Sequence, residues 1–595
     1  MNDHSVNHTS ILTVERVAVA AAILFFLVMV GMQLNKRLQF DEVEWPPQAM
    51  GILRHGVPVI YFGEDSFVRR YPYELIGESA HWGLWHPPLY LYTMATVFAV
   101  LGSSTESARF LGVLTAFLTI GLTALLARQF APKREGRAGA IVALALVLTL
   151  TSPFFIQGIL YLDIDNTILM PLVLFFLYLG QRFGLIETLT ARRLLVLSLV
   201  FTLTLWAKLT TPLLLLAALG ASYAIRRRWR AAVNIVGVGV IGSVMFAVTW
   251  LGYAFLAHVP ADFPIRFTFL QKAAMLTQGA SGLSRPNAVG HLLTYLTPPF
   301  AVLTGIAAIW ALSLVYRKRS MVAEWAWAVA IALVVLPVGY TIWVPAVSGK
   351  YKLPMVPMGA VLGAYVIVTR LGKYGRTILL PALVLGVICL LYYAVMVPDL
   401  YFVPSTLGRL NGDITQRFLT DPRLVSWALS PLPLLVGPVL LRFFAKPEGW
   451  LDRIILTALV ATVTLGVSQN IKSAVADYSP LSFSVQPKFY EAVDRVSQLC
   501  DGGIVLAPKD IGYYLYGHCR VIPMDESEIF VFRSDDDMVE VLKSTPEIRW
   551  SVDSLNYPSL REYPKAQAYL ATEFDQVDVV GDFKIYGRRV PASAR

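Results

Sequence analysis

What most limits the folds open to this chain is a block of roughly 17 to 25 apolar residues that recurs along it, the length a helix needs to cross a ~30 Å hydrocarbon core. The first block, "VAVAAAILFFLVMVGMQL", follows the polar segment "MNDHSVNHTSILTVER" and precedes "NKRLQF". No small-residue cleavage site closes it, so it reads as a retained anchor and not as a signal peptide. The blocks lack period-2 alternation, which excludes a membrane β-barrel. Composition agrees: 595 residues, 56% hydrophobic and 15% charged, with a mean hydropathy of +0.58, are too apolar for one soluble core. A net charge of +10 would suggest nucleic acid in a soluble protein. Here the basic residues gather in short loops, where they report membrane topology, and no nucleic-acid partner is expected.

The basic clusters are Lys133, Arg134 and Arg137; Arg182, Arg192 and Arg193; Arg226, Arg227, Arg228 and Arg230; Arg317, Lys318 and Arg319; Arg370, Lys373 and Arg376; and Arg442, Lys446 and Arg453. Two apolar blocks separate each successive pair, so all can share one face, which the positive-inside rule assigns to the cytoplasm. The segment Pro87–Gly102 is short for a span, opens on two prolines and follows the aromatic "HWGLWH". It reads as a juxtamembrane or re-entrant helix; were it a span, Asp41 and Asp163 would lie on opposite faces. The count is then about thirteen crossings, with a first outer loop at residues 35–107. The N-terminus is expected in the cytoplasm and the C-terminus outside it, in a multi-pass protein of the cell (inner) membrane.

From about Ile471 the composition becomes that of a soluble domain, with helix-like "QPKFYEAVDRVSQL" and "YPKAQAYLATEF" and strand-like "GIVLAP" and "CRVIP". The expected fold class is a polytopic α-helical membrane protein: a membrane module at residues 1–470 and a small extracytoplasmic α/β domain at 471–595. Cys500 and Cys519 flank one strand–helix unit, so an oxidising compartment would favour a disulfide between them, with two buried thiols as the alternative. Cys389 lies in an apolar block and reads as inert packing.

On this topology the outer face collects polar groups at helix ends. Asp41 and Glu42 follow the first crossing, Asp163 and Asp165 the third, Lys208 sits in "LWAKLTTPLLLL", and Lys350 and Tyr351 in "SGKYKLPMVP". Lysines at a boundary can snorkel, whereas paired short carboxylates cannot reach far into water. Carboxylates beside an apolar wall have raised proton affinity and can act as bases toward a hydroxyl, and nearby cations stabilise a departing phosphate. Tryptophans Trp82 and Trp85 read first as interface anchors. There is no H-x-x-x-H pair, cysteine cluster, P-loop or dinucleotide fingerprint.

The ordered set "FDE", "HPPLY", "LDID", "AKLTTPLLL" and "KYKLPMVP" resembles the GT-C membrane glycosyltransferases, in particular the protein O-mannosyltransferases and the lipid A aminoarabinose transferase group, over roughly the first 370 residues. The resemblance implies an enzyme that moves a hexosyl or pentosyl group from a polyprenyl-phosphate donor to an acceptor hydroxyl outside the cytoplasm, with inversion. It implies Asp41 as catalytic base with Glu42 beside it, Asp163 as the second acidic position, and His86 as the histidine of "HPP". Lys208, Lys350 and Tyr351 match places that meet the lipid phosphate, and Arg266, Lys272 and Arg285 are the cation candidates in the long outer loop. No cofactor is required on this resemblance. The "DID" at Asp163 to Asp165 departs from it and leaves a divalent metal on those two acids open. The acceptor class stays open among lipid, glycan and protein, with membrane lipids as surroundings. Two rival functions remain: a metal-dependent oligosaccharide ligase of the same fold, and a secondary transporter, against which stand unmatched halves and apolar blocks with almost no ionisable residue at their centres.

Overall fold

A computed structural model describes residues 8–38, 40–43, 45–58, 86–130, 137–187, 189–259, 261–262, 297–317, 321–343, 353–397, 429–444, 449–475, 488–515, 518–526, 529–530, 535–554, 560 and 563–589. The chain divides into two units. The first comprises Met1–Lys36, Arg109–Phe255 and Pro264–Leu481; the second joins the first outer loop, Arg37–Ala108, and Leu256–Phe263 to Ser482–Arg595.

The first unit is helical. Its elements are α1 (His8–Gly31), then, beyond α2 (Trp45–His55) and α3 (Leu89–Leu101) of the second unit, α4 (Thr105–Phe130), α5 (Ala138–Leu150), α6 (Pro153–Leu160), α7 (Met170–Phe183), α8 (Ala191–Ala207), α9 (Thr210–Ile225) and α10 (Trp229–Ala257). There follow α11 (Pro298–Arg317), α12 (Met321–Trp343), α13 (Met355–Leu371), α14 (Leu379–Met396), α15 (Leu432–Phe444) and α16 (Trp450–Val475). Among the described residues six helices are long and apolar enough to cross a bilayer, and a seventh is formed if the bent pair α5–α6 counts as one span. Because lipid replaces water on their outer faces, exposed valines and leucines such as Val236, Val240 and Leu251 on α10 incur no hydrophobic penalty. The 13 residues of α3 reach only about 20 Å at 1.5 Å per residue, short of a full crossing.

The α5–α6 pair bends by 59° where Pro153 begins a new helix and the Thr151–Ser152 backbone leaves the helical ladder. Two features hold the bend. Asn470 Nδ2 on α16 donates to the freed Thr151 carbonyl at 3.0 Å, and Gly466, one turn earlier, lets the two backbones meet where any Cβ would strike that same carbonyl.

Charge sorts to opposite ends of α9. Beyond its C-terminus, Arg226 makes a two-point bond with Glu324 at 2.5 and 3.0 Å, joined by Arg228 at 3.0 Å. At the other basic loops Arg370 and Lys373 both reach Asp452, at 3.0 and 2.8 Å. Lys208 and its acidic partner instead precede the N-terminus of α9, whose 16 residues separate the two groups by about 24 Å.

In the second unit α2 packs on α3, with Trp45 edge-on to Tyr90 at 5.4 Å. Pro46 and Pro47 sit in the first turn of α2, where a missing N–H costs nothing. The C-terminal part runs α17 (Phe489–Cys500), β1 (Ile504–Ala507), α18 (Lys509–Leu515), β2 (Arg520–Pro523), the short pair β3 (Asp525–Glu526) and β4 (Ile529–Phe530), α19 (Asp535–Ser544), β5 (Ile548–Ser554), α20 (Pro564–Glu573), β6 (Phe574–Val580) and β7 (Phe583–Arg588). The sheet order is β2-β1-β5-β7-β6, parallel across β2, β1 and β5 and antiparallel across β5, β7 and β6. Alternate residues of β1 feed two cores: Val505 and Ala507 pack with α17 and α18, Ile504 and Leu506 with α19 and α20. Cys500 and Cys519 form a disulfide. Replacing both by serine is expected to cost about 3 kcal/mol, since the bridge closes a loop of about twenty residues; thermal unfolding with and without reductant measures it, and an unchanged midpoint would contradict it.

Candidate active site

Asp163 and Asp165 stand where α6 ends and the next helix begins with an extra residue. Asp165–Leu169 is a π-turn, marked by the Leu169 N–H donating to the Ile164 carbonyl at 3.0 Å, a device frequent at functional sites. The two acids have different partners. Asp163 caps the new helix, its Oδ1 accepting from the Asp165 N–H at 3.1 Å. Asp165 receives the Lys208 ammonium on Oδ2 at 2.5 Å, and the two side chains are 1% and 3% exposed, so Asp165 is not a solvated loop acid.

Lys208 reaches it because α8 ends there. Its backbone is extended, at φ −162° and ψ 137°, and the helix resumes only at Thr210. Two residues earlier, Trp206 fastens the end of α8 to α10, its Nε1 donating to Thr249 at 2.9 Å and its ring edge-on to Tyr253 at 5.7 Å. Asn166, fully buried, donates from Nδ2 to the Tyr161 carbonyl at 3.4 Å, while its Oδ1 has no hydrogen-bond partner among the described residues.

The end of α1 is fixed by groups that sequence reasoning passed over. Arg109, 2% exposed, donates to the Gln33 and Leu34 carbonyls at 2.9 and 3.4 Å. A cation at a helix C-terminus satisfies orphan carbonyls and opposes the dipole. Gln157 of α6 donates to Gln33 Oε1 at 3.0 Å. The signal was present in "TESARFLG", an arginine one turn inside an apolar span.

In the second unit Asp41 and Glu42 form the 3-10 turn Phe40–Val43; for Asp41 only the backbone is described. Glu42 is fully buried and lies within electrostatic reach of Arg37. Burial lowers the Arg37 pKa, while Asp510, Tyr490, Tyr514 and Glu42 oppose that shift. His86, half-buried, precedes α3, and Tyr90 on α3 faces Trp45. Trp45 Nε1 and Gln48 Oε1 are buried without hydrogen-bond partners among the described residues. The structure thus pairs Lys208 with Asp165 and brings Asp163 beside them. Arg266, Lys272, Arg285, Lys350 and Tyr351 lie outside the described residues.

The model of the dolichyl-phosphate-mannose-protein mannosyltransferase family matches residues 85–253, and no characterised protein matches the chain by sequence. ArnT from Cupriavidus metallidurans bound to undecaprenyl phosphate superposes with a TM-score of 0.54 at 14% identity, over 97% of this chain and 98% of its own. The same protein in the apo state gives 0.52 at 15%, over 96% and 97%. The mannosyltransferase family pattern is thus present over residues 85–253, and the chain shares the ArnT fold over nearly its whole length.

Proposed function

We propose that the protein transfers one sugar from a polyprenyl-phosphate donor to an acceptor hydroxyl on the extracytoplasmic face of the cell membrane, with inversion. Residues 1–470 would form its membrane module and 471–595 its outer domain, with α16 carrying the membrane module on to Val475. The observation that carries this reading is the buried Asp163–Asp165–Asn166–Lys208 cluster at two broken helix ends in a GT-C fold. The likeness to an ArnT structure bound to undecaprenyl phosphate supports the donor class.

In the proposed step the acceptor oxygen attacks the anomeric carbon as its proton passes to the Asp41 carboxylate. The bond from that carbon to the phosphate oxygen breaks, and its electron pair leaves on the lipid phosphate. Positive charge develops on the sugar ring in such transition states. Carboxylates near such a ring would support that charge, and Lys208 is bound to Asp165. In this reading Asp163 and Asn166 face the sugar, and the phosphate-binding cations come from Arg266, Lys272, Arg285 and Lys350, with Tyr351 and His86 as further polar contacts.

A divalent ion on Asp163 and Asp165 fits poorly. The Lys208 ammonium holds Asp165 Oδ2 at 2.5 Å, and the described residues contain no group of three or more His, Cys, Asp or Glu side chains placed to hold a metal. Transfer is therefore expected to run at an unchanged rate in EDTA; a large loss restored by a divalent cation would overturn this reading in favour of a metal-dependent ligase. The function itself is tested by mass spectrometry of envelope glycans from a strain lacking the protein. Loss of one sugar substituent, with accumulation of the lipid-linked sugar, is expected, and an unchanged glycan profile and lipid pool would contradict it.

A further inference from the structure

The acidic turn is held by residues more than 400 positions away in sequence but within the same unit. The Leu38 N–H donates to the Tyr514 hydroxyl at 2.6 Å. Arg37, 5% exposed, lies over the Phe489 ring, 4.2 Å from its centroid. Asp510, buried on α18, faces the Arg37 charge, as does Glu42 from the turn itself. The α18 helix packs directly on Phe40–Val43.

These holders are themselves packed and cross-linked. The Tyr514 ring meets Phe489, Tyr490 and Tyr513 edge-on at 5.5, 5.6 and 5.1 Å. The Cys500–Cys519 disulfide ties the end of α17 to the entry of β2, enclosing β1 and α18. A four-residue 3-10 turn has few hydrogen bonds of its own, so its conformation is set by what grips it.

We infer that the C-terminal domain is part of the catalytic apparatus, with Tyr514 and Phe489 as positioning residues that fix the turn carrying Asp41 and Glu42. This rests on the proposed role of that turn in transfer. A base must sit within hydrogen-bond reach of the proton it removes, and a displacement of about 1 Å can cost about 100-fold in rate. The domain then governs the chemical step and leaves capture of the lipid donor to other residues.

The test uses the full-length protein in lipid nanodiscs. Tyr514→Phe keeps the ring and removes the hydroxyl that accepts from Leu38; Phe489→Leu keeps an apolar side chain and removes the surface under Arg37. Each is expected to lower kcat about 10-fold or more while KM for the lipid donor stays within about two-fold. Amide exchange at residues 38–43 should rise in both, with the melting midpoint little changed in Tyr514→Phe and lowered in Phe489→Leu, which also loses core packing. Unchanged kcat and unchanged exchange would overturn the inference. So would a fall in kcat that tracks a fall in melting midpoint with no faster exchange at residues 38–43, the result of a purely structural role. If the wild-type protein transfers no sugar, the functional reading falls separately, and exchange at residues 38–43 decides the grip on the turn.

Discussion

Replacing Asp41 by asparagine is expected to lower kcat for sugar transfer by at least about 100-fold, the range general-base catalysis contributes. KM for the lipid donor and the melting midpoint should stay close to wild type. Asparagine preserves size and one acceptor oxygen but cannot take the acceptor's proton. Glu42→Gln should behave differently, because Glu42 is fully buried and faces Arg37. Removing its charge leaves a buried guanidinium less compensated, so stability should fall along with activity. Single-turnover transfer and thermal unfolding of the two variants side by side separate these roles. Full activity in Asp41→Asn would remove the assignment of the base.

Lys208→Ala is expected to have the largest effect on stability, about 3–5 kcal/mol, the cost of breaking a buried ion pair by deleting one partner. The pair is 2.5 Å apart with side chains only 3% and 1% exposed, so water offers Asp165 little compensation. The double replacement Lys208→Met with Asp165→Leu should regain most of that loss, since apolar side chains of similar volume often substitute for a buried pair. It should not regain transfer if the cluster's charge supports the sugar. Reversible unfolding in detergent measures both variants. A Lys208→Ala protein as stable as wild type would mean that the pair is not the structural bond described here.

Much of the architecture is legible in the sequence because bilayer thickness and loop charge are local rules. The apolar blocks, the shortness of the Pro87–Gly102 segment and the strands "GIVLAP" and "CRVIP" all follow from runs of a few residues. The central strand β5, "IRWSVDS", shows no clean alternation in sequence because Arg549, Ser551 and Asp553 are interspersed and its register shifts near the start, although buried Ile548 and Val552 hold it in the two cores. The site was less legible. "DID" displays two equivalent acids, yet one caps a helix and the other pairs with a lysine 43 residues away. That difference depends on where α8 breaks and on how it packs, neither of which the motif contains. The grip of Tyr514 on Leu38 spans 476 residues and leaves no periodic trace.

The most direct measurement places the purified protein in proteoliposomes with a radiolabelled polyprenyl-phosphate sugar and an envelope-derived acceptor fraction. Label is expected to move onto the acceptor in a new glycosidic bond while unlabelled polyprenyl phosphate is released. Label that crosses into the vesicle lumen still attached to its original lipid or as free sugar, with no new bond, would contradict it.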